Sequence, residues 1–160
     1  QLETMQLGGI KQMVLEFLIK EKQFKPEEIE TNPEFRLPLG DSEITVHIDF
    51  VVNLPSASFM VIQCSSSSLE AWERYVISIA RVIKDYQIPY AVVTDGENAQ
   101  VIDVLAGKLI GESLDKLFNR ENALNKMKDF KKIPCPVNRL EQEKRIVYAF
   151  EGIKCPTEKK

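Results

Sequence analysis

Ile44-Thr45-Val46-His47-Ile48-Asp49-Phe50-Val51-Val52-Asn53-Leu54 carries the clearest period in the chain. Successive side chains of a strand point to opposite sides. Ile44, Val46, Ile48, Phe50, Val52 and Leu54 therefore fall on one face, and Thr45, His47, Asp49, Val51 and Asn53 on the other. Asp49 is expected to project from the more polar face at mid-sheet, a lone carboxylate in a mostly apolar strand. Pro55-Ser56-Ala57-Ser58 then turns the chain into Phe59-Met60-Val61-Ile62-Gln63-Cys64. That run is apolar on both faces, which suits a central strand covered on two sides.

Working outward, Ile10, Met13, Val14, Phe17 and Leu18 recur at helical spacing after Gly8-Gly9. They predict an amphipathic helix that stops near Lys22, ahead of Pro26 and Asn32-Pro33. Phe35 to Leu39 reads as a short strand, and Gly40-Asp41 as the turn of a hairpin. Downstream, Ser67-Ser68-Leu69-Glu70 matches a capping box and opens a helix running to about Tyr86. Trp72, Val76, Ile79, Ala80 and Ile83 form its buried side. Glu70 with Arg74, and Arg81 with Asp85, are spaced as i,i+4 ion pairs on the polar side. Ile88 to Thr94 is another buried strand, ended by Asp95-Gly96, and Val101 to Gly111 suggests a small hairpin. Asn119 to about Lys131 and Asn138 to about Phe150 read as helices separated by Pro134 and Pro136. A strand–helix–strand crossover makes its two strands parallel, so the sheet should be mixed.

Composition narrows the setting. At 160 residues, with 44% hydrophobic and 28% charged residues, the chain has the size and balance of one globular domain. No apolar run approaches the roughly 20 residues a membrane helix needs. Gln1-Leu2-Glu3-Thr4 lacks the basic head and apolar segment of a secretory signal. Cys64, Cys135 and Cys155 are odd in number and widely spaced, and His47 is the sole histidine. A zinc site and a disulfide framework are therefore not expected, and the reducing cytoplasm is. The formal charge of −3 counts mildly against nucleic acid, so any DNA contact must come from a local basic patch.

The element order α-β-β-β-α-β, with Val46 to Val52, Phe59 to Ser65 and Tyr90 to Asp103, resembles the PD-(D/E)XK nuclease core. It looks particularly like the N-terminal domain of type I restriction enzyme R subunits and their small stand-alone relatives. The resemblance spans about residues 7 to 112 of a single domain over 1–160, leaving a helical extension from about 113. It implies an α/β fold: a restriction-endonuclease-like core with a mixed central sheet flanked by helices, plus C-terminal helices. In such enzymes an acid on the second strand and another on the third hold Mg²⁺, and a lysine two residues after the second acid supports the phosphate transition state. Asp49 fits the first acid and is the expected metal ligand. Gln63 stands at the second-acid position and Ser65 at the lysine position, so both charges are absent. Groups from the crossover helix could replace them: Glu70 or Glu73 as acid, Arg74 or Arg81 as cation.

Several residues also have plainer readings. Ser65 to Ser68 are better explained as a helix start than as a phosphate cradle. His47 is a polar-face strand residue, Cys64 a small buried hydrophobe and Trp72 core. Lys126, Lys128, Lys131 and Lys132, with Arg139, Lys144 and Arg145, would ordinarily be a solvated face. They are also the one candidate phosphate-binding patch. The expected function is a nuclease-like domain with a degenerate site, a DNA-associated or protein-interaction module in a restriction or defence system. Its implied partners are DNA and other subunits of that system, with no membrane. One alternative is a weak Mg²⁺-dependent endonuclease with migrated residues, and only then is Mg²⁺ a cofactor. The other is a regulatory partner-binding domain without nucleic-acid contact.

Overall fold

The apolar runs pair into a mixed sheet in a computed structural model that describes residues 2–154, with side chains for 6–153. Its strands are β1 (Ile29–Thr31), β4 (Phe50–Asn53), β5 (Ser58–Cys64), β6 (Tyr90–Thr94), β7 (Asn98–Asp103) and β8 (Lys108–Ser113), adjacent in that order. β5 and β6 are parallel and every other neighbouring pair is antiparallel. β5 is central and fully covered, as its unbroken apolar run demands; Phe59, Met60, Val61 and Ile62 have no exposed surface. Crossover, mixed sheet and flanking helices are those expected from the sequence.

The long alternating strand is two strands. β2 (Glu34–Leu39) and β3 (Ser42–His47) form a separate hairpin, turning at Gly40 with φ of 59°. β3 ends at His47, and β4 begins at Phe50 in the main sheet. Ile48 and Asp49 lie between them, so Asp49 sits beside the sheet's end, not within a continuous strand. The carbonyl of Asp49 accepts the Asn32 amide at 2.8 Å, and its side chain accepts the Cys64 amide at 2.7 Å. These bonds fix the bend at which the chain changes sheets. Alternation also lapses there, since Phe50, Val51 and Val52 are all buried. β1, only three residues long, carries no readable period; its pairing with β4, Ile29 against Val52, defines it.

The helices begin differently from the sequence expectation. α1 (Leu2–Lys20) runs through Gly8-Gly9. Glycine costs a helix about 1 kcal/mol relative to alanine, and the buried stripe Ile10, Val14 and Leu18 offsets this. The Ser67–Glu70 capping box does not form: the Ser67 amide donates to Ser65 Oγ at 3.1 Å. A 3₁₀ turn over Glu70–Trp72 leads instead into α2 (Glu73–Val82), shorter than expected. The Ile88 amide bonds the Ala80 carbonyl, bringing the chain round toward β6. In α3 (Arg120–Met127), Asn119 caps the first turn by accepting the Asn122 amide. Arg120 holds Glu28 through three hydrogen bonds, tying α3 to the segment that follows α1.

α4 (Val137–Lys154) packs on α2 around one buried carboxylate. Glu143 is 1% exposed. It accepts from Arg81 at 2.7 Å, Ser78 at 2.6 Å and Arg74 at 3.1 Å, with Arg139 at 3.6 Å. The expected Glu70–Arg74 and Arg81–Asp85 pairs are absent among the described residues because both arginines turn to Glu143 instead. Trp72, Tyr75 and Phe150 stack around the far end of the same interface. Burial pushes the Glu143 carboxyl upward. Hydrogen bonds from Arg74, Ser78 and Arg81 outweigh it and hold the group down to about 2. Breaking such a buried network strands unpaired charge and costs about 3–5 kcal/mol, so Glu143→Ala should lower stability by that order in urea unfolding. The Glu143 carboxyl sits below its unfolded value of 4.5, so its contribution is complete above that pH. It should fade as pH falls toward about 2, and the Glu143→Ala difference should shrink with it.

Candidate functional site

Asp49 is 8% exposed and both of its carboxylate oxygens are engaged. Oδ2 accepts the Cys64 amide at 2.7 Å, at the end of β5. Oδ1 lies 3.1 Å from the Lys11 ammonium, delivered by α1. The carboxylate thus joins α1, the β3–β4 bend and the end of the central strand. Its position follows from the register: Phe50 pairs with Ile62, so Asp49 and Gln63 are the next residues beyond a matched pair on neighbouring strands.

Gln63 pairs with Val93 of β6, and Val93 with Gln100 of β7, so Gln63, Val93 and Gln100 form one register row across the sheet. Both glutamine Oε1 atoms are buried and lack a hydrogen-bond partner among the described residues. Ser65 is buried, its amide bonded to the Thr94 carbonyl and its Oγ spent on Ser67. Asp49, Gln63 and Ser65 therefore gather at one end of β5, with Lys11 above Asp49. Burial, and next the charge on Asp49, push the Cys64 thiol far above its ordinary range. A raised thiol is a poor source of the thiolate that nucleophilic cysteines need.

The crossover-helix residues take other places. Arg74 and Arg81 are committed to Glu143 on α4. Burial, and then the charges of Glu70 and Glu112, raise the Glu73 carboxyl. Among the described residues no three His, Cys, Asp or Glu are placed to hold a metal ion. A divalent cation does not fit at Asp49 as the site stands: the motif's other groups are a neutral amide and a hydroxyl, and the carboxylate already faces an ammonium. At about 4 Å and an effective dielectric of about 20, a divalent ion and an ammonium repel by roughly 8 kcal/mol, less where the ammonium is partly solvated.

His47 meets Glu34 at 3.0 Å across the β2–β3 hairpin. Lys126, Lys128, Lys131 and Lys132 are all exposed, on α3 and the segment leading to α4. Lys126 rests over the Phe118 ring at 5.8 Å and Lys132 over Tyr86 at 5.0 Å. Arg139 leans toward Glu143 and Arg145 pairs with Glu141 at 2.7 Å, so these two arginines have acidic neighbours. Cys155 lies outside the described residues. No described helix is long and apolar enough to cross a membrane.

Lys11 is the residue that the sequence reading passed over. A signal was present: with Val14 and Leu18 it follows the 3–4 spacing of the buried stripe, where a lysine needs a partner.

A mixed sheet with a parallel helical crossover, helices on its flanks and one buried acid at the end of its central strands defines an α/β domain. The profile of the type I restriction enzyme R protein N terminus (HSDR_N) matches residues 9–117. The chain belongs to that family. A solved structure described as a fragment of an HsdR subunit of a type I restriction enzyme from Vibrio vulnificus YJ016 has a similar fold. Its TM-score is 0.55 at 12% identity, covering 91% of this chain and 32% of that one. The chain thus spans about a third of that fragment. A comparison with curated proteins gives no match.

Asp49→Ala removes the acceptor for a buried amide and the partner of Lys11, so it should destabilise the fold by about 1–3 kcal/mol. Asp49→Asn can still accept the Cys64 amide and should cost less. Urea unfolding of both variants checks the order.

Proposed function

We propose that the chain is a PD-(D/E)XK-type domain with a degenerate active site, serving as a DNA-associated module of a restriction system in the cytoplasm. The observation that carries this reading is the end of β5. Gln63 and Ser65 stand where an acid and a lysine would be needed, and Ser65 is closed by Ser67. Losing one electrostatic stabiliser of this kind commonly costs on the order of 10² to 10³ in rate, and two are missing. The crossover helix supplies no replacement cation, because Arg74 and Arg81 are held by Glu143.

The DNA side of the proposal draws on the four exposed lysines, which offer a local positive field despite the acidic total. DNA and other subunits of a restriction system are the partners we assign. A second reading, partner binding without nucleic acid, draws on β8. That strand ends the described sheet and exposes Leu109 and Ile110, a surface suited to protein contact.

Purified protein should not nick supercoiled plasmid with Mg²⁺ or Mn²⁺. Cleavage abolished both by EDTA and by Asp49→Ala would contradict this and favour the endonuclease alternative. DNA binding should weaken steeply with salt. Replacing Lys126, Lys128, Lys131 and Lys132 by alanine should flatten the log–log salt slope by about 0.9 for each phosphate no longer neutralised. An unchanged slope would leave the partner-binding reading.

A further inference from the structure

We propose that the Lys11 ammonium is the resident cation of this site, standing beside Asp49 where a divalent metal would have to sit. The inference rests on the degenerate-site reading and adds a residue that lies outside the strand motif. Lys11 Nζ is 3.1 Å from Oδ1, and the Cys64 amide holds Oδ2 at 2.7 Å. Neither carboxylate oxygen is left with its charge unanswered. The nearest motif position, Gln63, offers an amide oxygen that has no partner among the described residues and no charge. α1 is anchored by Ile10, Val14 and Leu18, so the ammonium comes from a packed helix, not a loose terminus.

A carboxylate held this way is neutralised within the protein. Mg²⁺ and Mn²⁺ favour charged oxygen ligands, and Mg²⁺ sheds its water reluctantly. A metal arriving at Asp49 must displace an ammonium that is already in place. Loss of metal binding therefore has two separable causes: the missing second acid on β5, and the cation supplied by α1. Rebuilding the strand motif with Gln63→Glu and Ser65→Lys corrects only the first. The site regains a metal only when Lys11 is also removed.

The test is Mn²⁺ titration of the full chain by calorimetry and by electron paramagnetic resonance. The variants are Gln63→Glu alone, Gln63→Glu with Lys11→Met, and that pair with Asp49→Asn. The Lys11→Met/Gln63→Glu protein should bind Mn²⁺ at least tenfold more tightly than Gln63→Glu alone, and Asp49→Asn should abolish the gain. Lys11→Arg in the Gln63→Glu background keeps the charge and should bind as weakly as the parent. Mn²⁺ should also raise the melting temperature of the Lys11→Met/Gln63→Glu protein more than that of Gln63→Glu. Should Lys11→Met fold poorly, Lys11→Gln provides the same comparison. Equal Mn²⁺ affinities with and without Lys11, in cooperatively folded proteins, would overturn the proposal. Plasmid cleavage by the unaltered chain would instead refute the degenerate-site reading, so the two failures are distinct.

Discussion

The carboxylate of Asp49 ties together three parts of the chain that are distant in sequence. One oxygen holds the amide at the end of β5 and the other holds the ammonium of α1. Its own backbone carbonyl takes the Asn32 amide, just beyond β1. Together these bonds determine where the hairpin ends, where the main sheet begins and how α1 lies against the sheet end. A charge buried to this degree persists only when it is paired and hydrogen-bonded. Asp49 thus serves as a structural joint.

The same bend marks the limit of what the sequence revealed. Phe59 to Cys64, Tyr90 to Thr94 and the hairpin after Asp95-Gly96 were legible because buried central strands are unbroken apolar runs bounded by turn residues. Ile44 to Leu54 read as one strand because its alternation continues on paper through Ile48-Asp49. Nothing local shows that the two halves join different sheets; that depends on hydrogen bonds from Asn32 and Cys64. β1 was invisible because three residues carry no period and its pairing with β4 is a tertiary fact. Ser67 fits a capping box by spacing, yet Ser65 Oγ competes for its amide, and the helix starts later.

Within the candidate site, the juxtaposition of the strand residues was readable and the surrounding charges were not. Asp49, Gln63 and Ser65 do gather at one end of β5. Lys11 and Glu143, by contrast, each fall on a helical stripe that is otherwise apolar: buried Val14 and Leu18 for the first, half-buried Leu140 and buried Val147 for the second. A charge at such a position calls for an opposite charge elsewhere, but spacing alone cannot say where. Lys11 finds Asp49. Glu143 finds Arg74 and Arg81, which helical periodicity had assigned to solvent. Family membership and architecture agree on the N-terminal domain of a type I restriction enzyme R protein.

The most direct measurement is a crystal structure of the unaltered chain grown in millimolar Mn²⁺, with anomalous diffraction collected at the manganese edge. The map should show no anomalous peak within bonding distance of Asp49, with the Lys11 ammonium still paired to Oδ1. A manganese peak on the Asp49 carboxylate, with Lys11 swung away, would contradict the assignment of Lys11 as the site's own cation and reopen the case for metal-dependent chemistry.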